Sequence, residues 1–126
     1  MADVLLVADA SWVANEVKAA LSVGDWNLAE LSDSTRALEV VQETGPDVLI
    51  VDMQVGSMGG MAVIRAIRGE VAPQHRPRMV LLLDRAADRF LAGRAGADAC
   101  VQKPIDTAEL RNALAQGSES IRSEEE

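Results

Sequence analysis

Three short runs of apolar residues punctuate the chain with almost no polar interruption. They are Val4-Leu5-Leu6-Val7-Ala8, Val48-Leu49-Ile50-Val51 and Met79-Val80-Leu81-Leu82-Leu83. Each is strand-length and mostly branched. A run without apolar–polar alternation suits a strand covered on both faces, as in a parallel sheet. Two weaker stretches, 26–32 and 99–102, fit further strands.

Amphipathic segments of helical length fill the intervals. Ser11 is expected to cap the first, with Val13, Val17, Ala20 and Leu21 on one stripe and Gly24 ending it. Ser34 is expected to cap the second, with Leu38 and Val41 inward, and Gly45-Pro46 to stop it. The third spans about 58–68, with Ile64 and Ile67 inward. The fourth, about 86–95, carries Phe90 and Leu91 and ends near Gly96. The fifth, about 106–116, carries Leu110, Ala113 and Leu114. The longer connection 69–78, with two prolines, reads as an irregular surface loop.

Strand–helix alternation repeated five times predicts an α/β domain: an open, doubly wound parallel sheet with right-handed crossovers and helices on both faces. Five units are too few for an eight-stranded barrel. The expected domain covers 1–116. Residues 117–126, GSESIRSEEE, form an acidic tail expected to be flexible, because it has too little apolar surface to pack.

Composition narrows the function classes. The 126 residues suffice for one core. Twenty acids against 12 bases give a net charge of -8, which argues against nucleic acid and against an anionic membrane surface as partners. Apolar runs of about five residues fall far below the roughly 20 needed to span a bilayer. With one cysteine, Cys100, and one histidine, His75, neither an intrachain disulfide nor a Cys/His zinc set can form, and a reducing cytoplasm is the expected location. Cys100 reads as a small buried hydrophobe and His75 as a solvated loop residue. Trp12, Trp26 and Phe90 are the only aromatics and make no stacking platform.

Candidate chemistry sits where the strands end, since ligands of open α/β sheets bind beyond the carboxyl ends of the strands. The first strand runs into Asp9, the third into Asp52, the fourth into Leu83-Asp84 and the fifth into Gln102-Lys103-Pro104. If the first and third strands are neighbours, their axes lie about 4.8 Å apart. Asp9 and Asp52 then share one site, where two acids repel unless a cation joins them. Mg²⁺ suits oxygen ligands and needs only one or two carboxylates. A lysine opposite offers a mobile ammonium to a phosphoryl oxygen. One carboxylate is then free to attack phosphorus.

The stretches VLLVADAS, PDVLIVDMQVGSMGG and AGADACVQKPI resemble the receiver domain of bacterial response regulators, the CheY-like domains of two-component signalling. The resemblance covers roughly 3–116. It implies strand order 2-1-3-4-5. It also implies Asp52 as phosphoacceptor, Asp9 as metal ligand, the Gln54 carbonyl as a further ligand, a catalytic Lys103 and a cis Lys103-Pro104 bond. Phosphoryl would come from a histidine kinase or a phosphotransfer protein, and output would pass to a downstream protein partner. Homodimerisation through the fifth helix stays open. Any catalysis would be limited to self-phosphorylation and autodephosphorylation at the aspartate.

Four departures from the family pattern stand out. Ala8 replaces the first of two acids at the end of the first strand, which predicts weakly bound Mg²⁺. The usual Ser or Thr after the fourth strand falls on Leu83 or Asp84; read alone, Asp84 is expected to cap the fourth helix. Cys100 stands where the switch aromatic is usual. Gly56 replaces a proline and is expected to loosen its loop. Two readings follow: a single-domain receiver in a phosphorelay, or a phosphorylation-independent pseudo-receiver that works by interaction or dimerisation. A flavodoxin-type cofactor binder fits poorly, because no Ser/Thr-rich phosphate loop follows the first strand.

Overall fold

The computed structural model describes residues 2–56 and 59–115. The expected tail and Met58 lie outside the described residues. The strands are β1 (Ala2–Val7), β2 (Trp26–Leu31), β3 (Val48–Asp52), β4 (Arg78–Leu83) and β5 (Ala99–Gln102). The helices are α1 (Ser11–Ala20), α2 (Ala37–Thr44), α3 (Gly60–Glu70), α4 (Arg89–Ala95) and α5 (Thr107–Ala115). All four strand pairs are parallel, and the order is β2-β1-β3-β4-β5.

Period-two side-chain alternation sorts the strand residues onto two faces. Val4, Leu6, Val48, Ile50, Val80, Leu82 and Val101 join Val13 and Val17 of α1 and Leu110 and Leu114 of α5 in one core. Leu5, Val7, Leu49, Val51, Leu81 and Leu83 meet Val41 of α2, Ile64 and Ile67 of α3 and Ala92 of α4 in the other. The double covering is why β3 and β4 carry no alternation. Each fully buried branched side chain contributes about 1.5–3 kcal/mol relative to exposure.

The register places the chemistry. Val7 of β1 lies opposite Val51 of β3, so Asp9 and Asp52 leave the sheet within a residue of one another. Asp47, just before β3, accepts the Asp3 N–H through Oδ2 at 2.8 Å, and its carbonyl accepts the Arg78 N–H at 3.0 Å. Asp98 does the same between β4 and β5, accepting the Met79 N–H at 2.8 Å. These two acids of the recognisable motifs hold strand starts in register.

Helix starts differ from expectation. Ser11 is the first residue of α1 rather than its cap; the N-cap is Ala10, whose methyl can accept nothing. The helix ends at Leu21, whose N–H reaches the Val17 carbonyl, three residues before Gly24. Asp33, not Ser34, caps the second helical segment: its Oδ1 accepts the Thr35 N–H at 3.0 Å, ahead of a 3₁₀ turn at Ser34–Arg36 that leads into α2. The carboxylate is the stronger acceptor of the adjacent pair, and Ser34 is buried instead.

The third helix is displaced to Gly60–Glu70 and runs into the connection expected to be irregular. The rest of that connection holds a 3₁₀ turn at Pro73–His75. The Arg76 guanidinium anchors it by donating to the carbonyls of Arg68 at 3.0 Å and of Val71 at 3.2 and 3.1 Å. Charge-assisted bonds to the open carbonyls of a helix end hold this connection in place.

Candidate functional site

At the carboxyl edge of the sheet the backbone sets three side chains against one another. The Lys103 N–H donates to the Leu83 carbonyl at 2.8 Å, which brings the end of β5 beside the residue that follows β4. Its side chain then reaches β3. Lys103 Nζ lies 2.6 Å from Asp52 Oδ1 and 2.9 Å from Asp84 Oδ1. The Lys103 and Asp52 side chains are only 6% and 3% exposed, so water does little to screen the pair. Burial pulls the Lys103 ammonium toward deprotonation, but hydrogen bonds and attraction from Asp52 and Asp84 outweigh it and hold the lysine above its ordinary value.

Asp84 is thus part of the site and not a helix cap. The 3₁₀ turn before α4 has Arg85 as its N-cap and takes no side-chain bond, and Asp88 before α4 takes none from its own helix start. Of the two residues that could occupy the family's hydroxyl position, Leu83 is wholly buried in the core and only Asp84 faces the lysine. The partner of its carboxylate is the buried ammonium and not a helix start.

The turn after β3 ties Asp52 to Asp9. Asp52 Oδ1 accepts the Gln54 N–H at 3.3 Å, and the Asp52 carbonyl accepts the Val55 N–H at 3.2 Å. The Gly56 N–H then donates to Asp9 Oδ2 at 2.8 Å. Gly56 has φ of 53°, and a Cβ there would fall 2.7 Å from Ser34 Oγ. The position therefore requires glycine, and its N–H holds an acid; proline could do neither. The expected loosening of the loop gives way to this anchoring. No spacing rule marks such a role, since a glycine with positive φ looks like any other in sequence.

Below the turn, Gly60 opens α3 directly against β3. A Cβ there would lie 2.6 Å from the Asp52 carbonyl oxygen and 2.8 Å from Met53 Cα. Gly60 is thus a close approach of helix to strand end, whereas a Cβ at Gly59 would meet nothing within 4 Å. Met53 and Met61 pack at the margin of the adjoining core. The Lys103-Pro104 bond is cis. Glu16 of α1 accepts the Ile105 N–H at 3.2 Å and steadies the segment after it.

Trp12, in the first turn of α1, also reaches the site. Its ring lies over Lys103 Nζ at 5.5 Å, with the indole still 53% exposed. Cys100 is half-buried, lies opposite Leu81 and packs on the α2–α4 core. Burial pushes its thiol above the ordinary value, with Arg89 pulling weakly the other way. Phe90 and Leu91 of α4 are exposed, the former beneath the Arg94 guanidinium. His75 is exposed, in a cleft of about 610 Å³ with Asp47 and Arg76 at the opposite end of the strands.

The donor chemistry fits a small hard cation. Asp9, Asp52 and the Gln54 carbonyl offer only oxygen, the set that Mg²⁺ takes while keeping several waters. Ala8 offers nothing, and no group of three or more His, Cys, Asp or Glu side chains converges among the described residues. No described helix is long and apolar enough to cross a membrane.

Comparison with known proteins identifies relatives in sequence and in fold. The transcriptional regulatory protein TrcR of Mycobacterium tuberculosis is 32% identical over 108 residues, 85% of this chain and 41% of TrcR. The chemotaxis protein CheY of Pseudomonas aeruginosa is 28% identical over 113 residues, 88% of this chain and 91% of CheY. The chain thus spans less than half the length of TrcR but nearly all of CheY. Among solved structures, the receiver domain of the sensor histidine kinase PA1611 from Pseudomonas aeruginosa, with a magnesium ion coordinated in its active site cleft, superposes with a TM-score of 0.79 at 22% identity. That match covers 91% of this chain and 95% of the other. Residues 4–115 match the response regulator receiver domain, and the chain belongs to that family.

Proposed function

We propose that Asp52 accepts a phosphoryl group from a histidine kinase or a phosphotransfer protein, within two-component signalling, and that the consequence is read by a protein partner. The observation that carries this is the buried contact of 2.6 Å between Lys103 Nζ and Asp52 Oδ1 at the carboxyl edge of the sheet, with Asp9 tethered alongside through Gly56.

A carboxylate oxygen of Asp52 forms a bond to phosphorus as the donor's bond to phosphorus breaks, leaving an acyl phosphate. The donor's leaving atom keeps the electron pair of the broken bond and takes up a proton from solvent. Lys103, held charged, offers its ammonium to the oxygens that gain charge in transfer. Asp9, Asp52 and the Gln54 carbonyl would hold Mg²⁺, which is typical of this family and would offset charge between the carboxylate and the phosphoryl group. With Ala8 in place of a second acid, that cation is held weakly. A cytoplasmic location and output through the exposed Phe90 and Leu91 belong to the same reading.

The test is incubation with acetyl phosphate and Mg²⁺, followed by intact mass. A phosphoryl gain in wild type that is lost in Asp52→Asn and on chelation supports the assignment. No gain at any Mg²⁺ concentration, with transfer from a partner kinase also absent, would leave a module that acts by interaction alone.

A further inference from the structure

Asp84 has no neutral role in the site. One oxygen is 2.9 Å from Lys103 Nζ. The other, Oδ2, is buried and accepts no hydrogen bond among the described residues. The guanidinium of the next residue does not relieve it: Arg85 donates to Asp88, at 3.2 and 3.0 Å. Leaving a carboxylate oxygen buried without a donor costs free energy. The attraction of Lys103 is what offsets that cost here.

An ammonium has three N–H groups in total. Two of those of Lys103 serve Asp52 and Asp84, under the face of Trp12. A phosphoryl group on Asp52 would bring further negative charge within reach of the same nitrogen. It would also meet Asp84, already charged and already bonded there.

We infer that Asp84 is a built-in anionic competitor: it holds one of the Lys103 donors that an arriving phosphoryl oxygen would use, and its charge opposes the phosphoryl group. Asp84 acts through Lys103 and is a positioning residue. This inference rests on the reading of Asp52 as phosphoacceptor. The Asp84 carboxylate opposes gain of the group through its charge and its hold on the lysine, and for the same reason favours loss of the group. The site is thereby biased toward its unphosphorylated state.

The experiment is calorimetric titration of the full chain with beryllofluoride in Mg²⁺, for wild type, Asp84→Asn, Asp84→Thr, Asp84→Glu and Asp52→Asn. Asp84→Asn and Asp84→Thr are expected to bind about tenfold or more tightly than wild type, the scale on which one neighbouring charge shifts an ionic equilibrium. Asp84→Glu, which keeps the charge, is expected to stay within about threefold of wild type, a span of under 1 kcal/mol. That series separates charge from shape, which a merely structural residue would not do, and thermal melts show that each variant is folded. Wild-type binding that depends on Asp52, with no tightening in either neutral variant, overturns the role of Asp84 and leaves the phosphoacceptor reading intact. No binding in wild type and neutral variants alike overturns both.

Discussion

The indole ring of Trp12 lies over the ammonium of Lys103, with Nζ 5.5 Å from the ring centroid. The first helix thus contributes a lid to a lysine whose charge partners come from β3 and the end of β4. The contact makes Trp12 a reporter of anything that moves Lys103. In a Trp26→Phe background, Lys103→Met is expected to shift Trp12 emission. Trp12→Ala is expected to cost only about 0.5–1 kcal/mol, the worth of a cation–π contact at an exposed ring. Emission unchanged by Lys103→Met would show that the ring and the ammonium do not meet in solution.

The shared lysine predicts an asymmetry between the two partners of its shortest ion pair. Lys103→Met leaves Asp52 and Asp84 facing each other without a cation, the first nearly inaccessible to water. Breaking a buried pair from that side costs about 3–5 kcal/mol. Asp52→Asn leaves the lysine still paired with Asp84 and removes one of two like charges, so the loss is expected to be about 1 kcal/mol or less. Urea denaturation of the two variants measures the difference. Equal losses would mean that Asp84 does not take over the lysine.

The same pairing has a pH signature. The folded-state value of Lys103 is raised, with desolvation opposing and the two carboxylates prevailing. A raised lysine contributes stability that is fully present below its unfolded value, near 10.5, and that fades as pH climbs through the higher folded value. Wild type is therefore expected to lose its advantage over Lys103→Met only above that unfolded value of 10.5. Melting curves of both proteins from pH 8 to pH 12 check this. A difference that fades between pH 8 and pH 10 would contradict the raised value.

The sheet was legible because burial on two faces leaves a plain mark: runs such as Val48–Val51 and Met79–Leu83 have no polar side to show. The strand-end acids were legible for a related reason, since Asp52 interrupts a run that otherwise stays apolar. What escaped the sequence were choices between adjacent residues and partners distant in the chain. Asp33 and Ser34 are both capping residues, and only the burial of Ser34 decides between them. An aspartate after a strand reads as a cap, and nothing local tells that Asp84 finds a lysine 19 positions on. Gly56 was read as slack when its positive φ and its N–H are what hold Asp9.

Gly56 supplies a prediction in which two costs can be separated. An alanine there meets two penalties: a left-handed backbone, at about 1–2 kcal/mol for a residue with Cβ, and a contact of 2.7 Å with Ser34 Oγ. Ser34→Ala removes the oxygen and leaves Ser34's Cβ position 3.7 Å away, an ordinary contact. Gly56→Ala alone is therefore expected to destabilise by about 2–4 kcal/mol, the backbone strain plus the 1–3 kcal/mol typical of overpacking. In the Ser34→Ala background the loss should fall to the backbone share, about 1–2 kcal/mol. Mg²⁺ affinity should stay reduced in both, because relief of the clash does not restore the φ that aims the Gly56 N–H at Asp9. Urea midpoints and Mg²⁺ titrations of the four proteins read the two effects independently. Full recovery of stability in the double variant would show that the backbone at this turn is not left-handed.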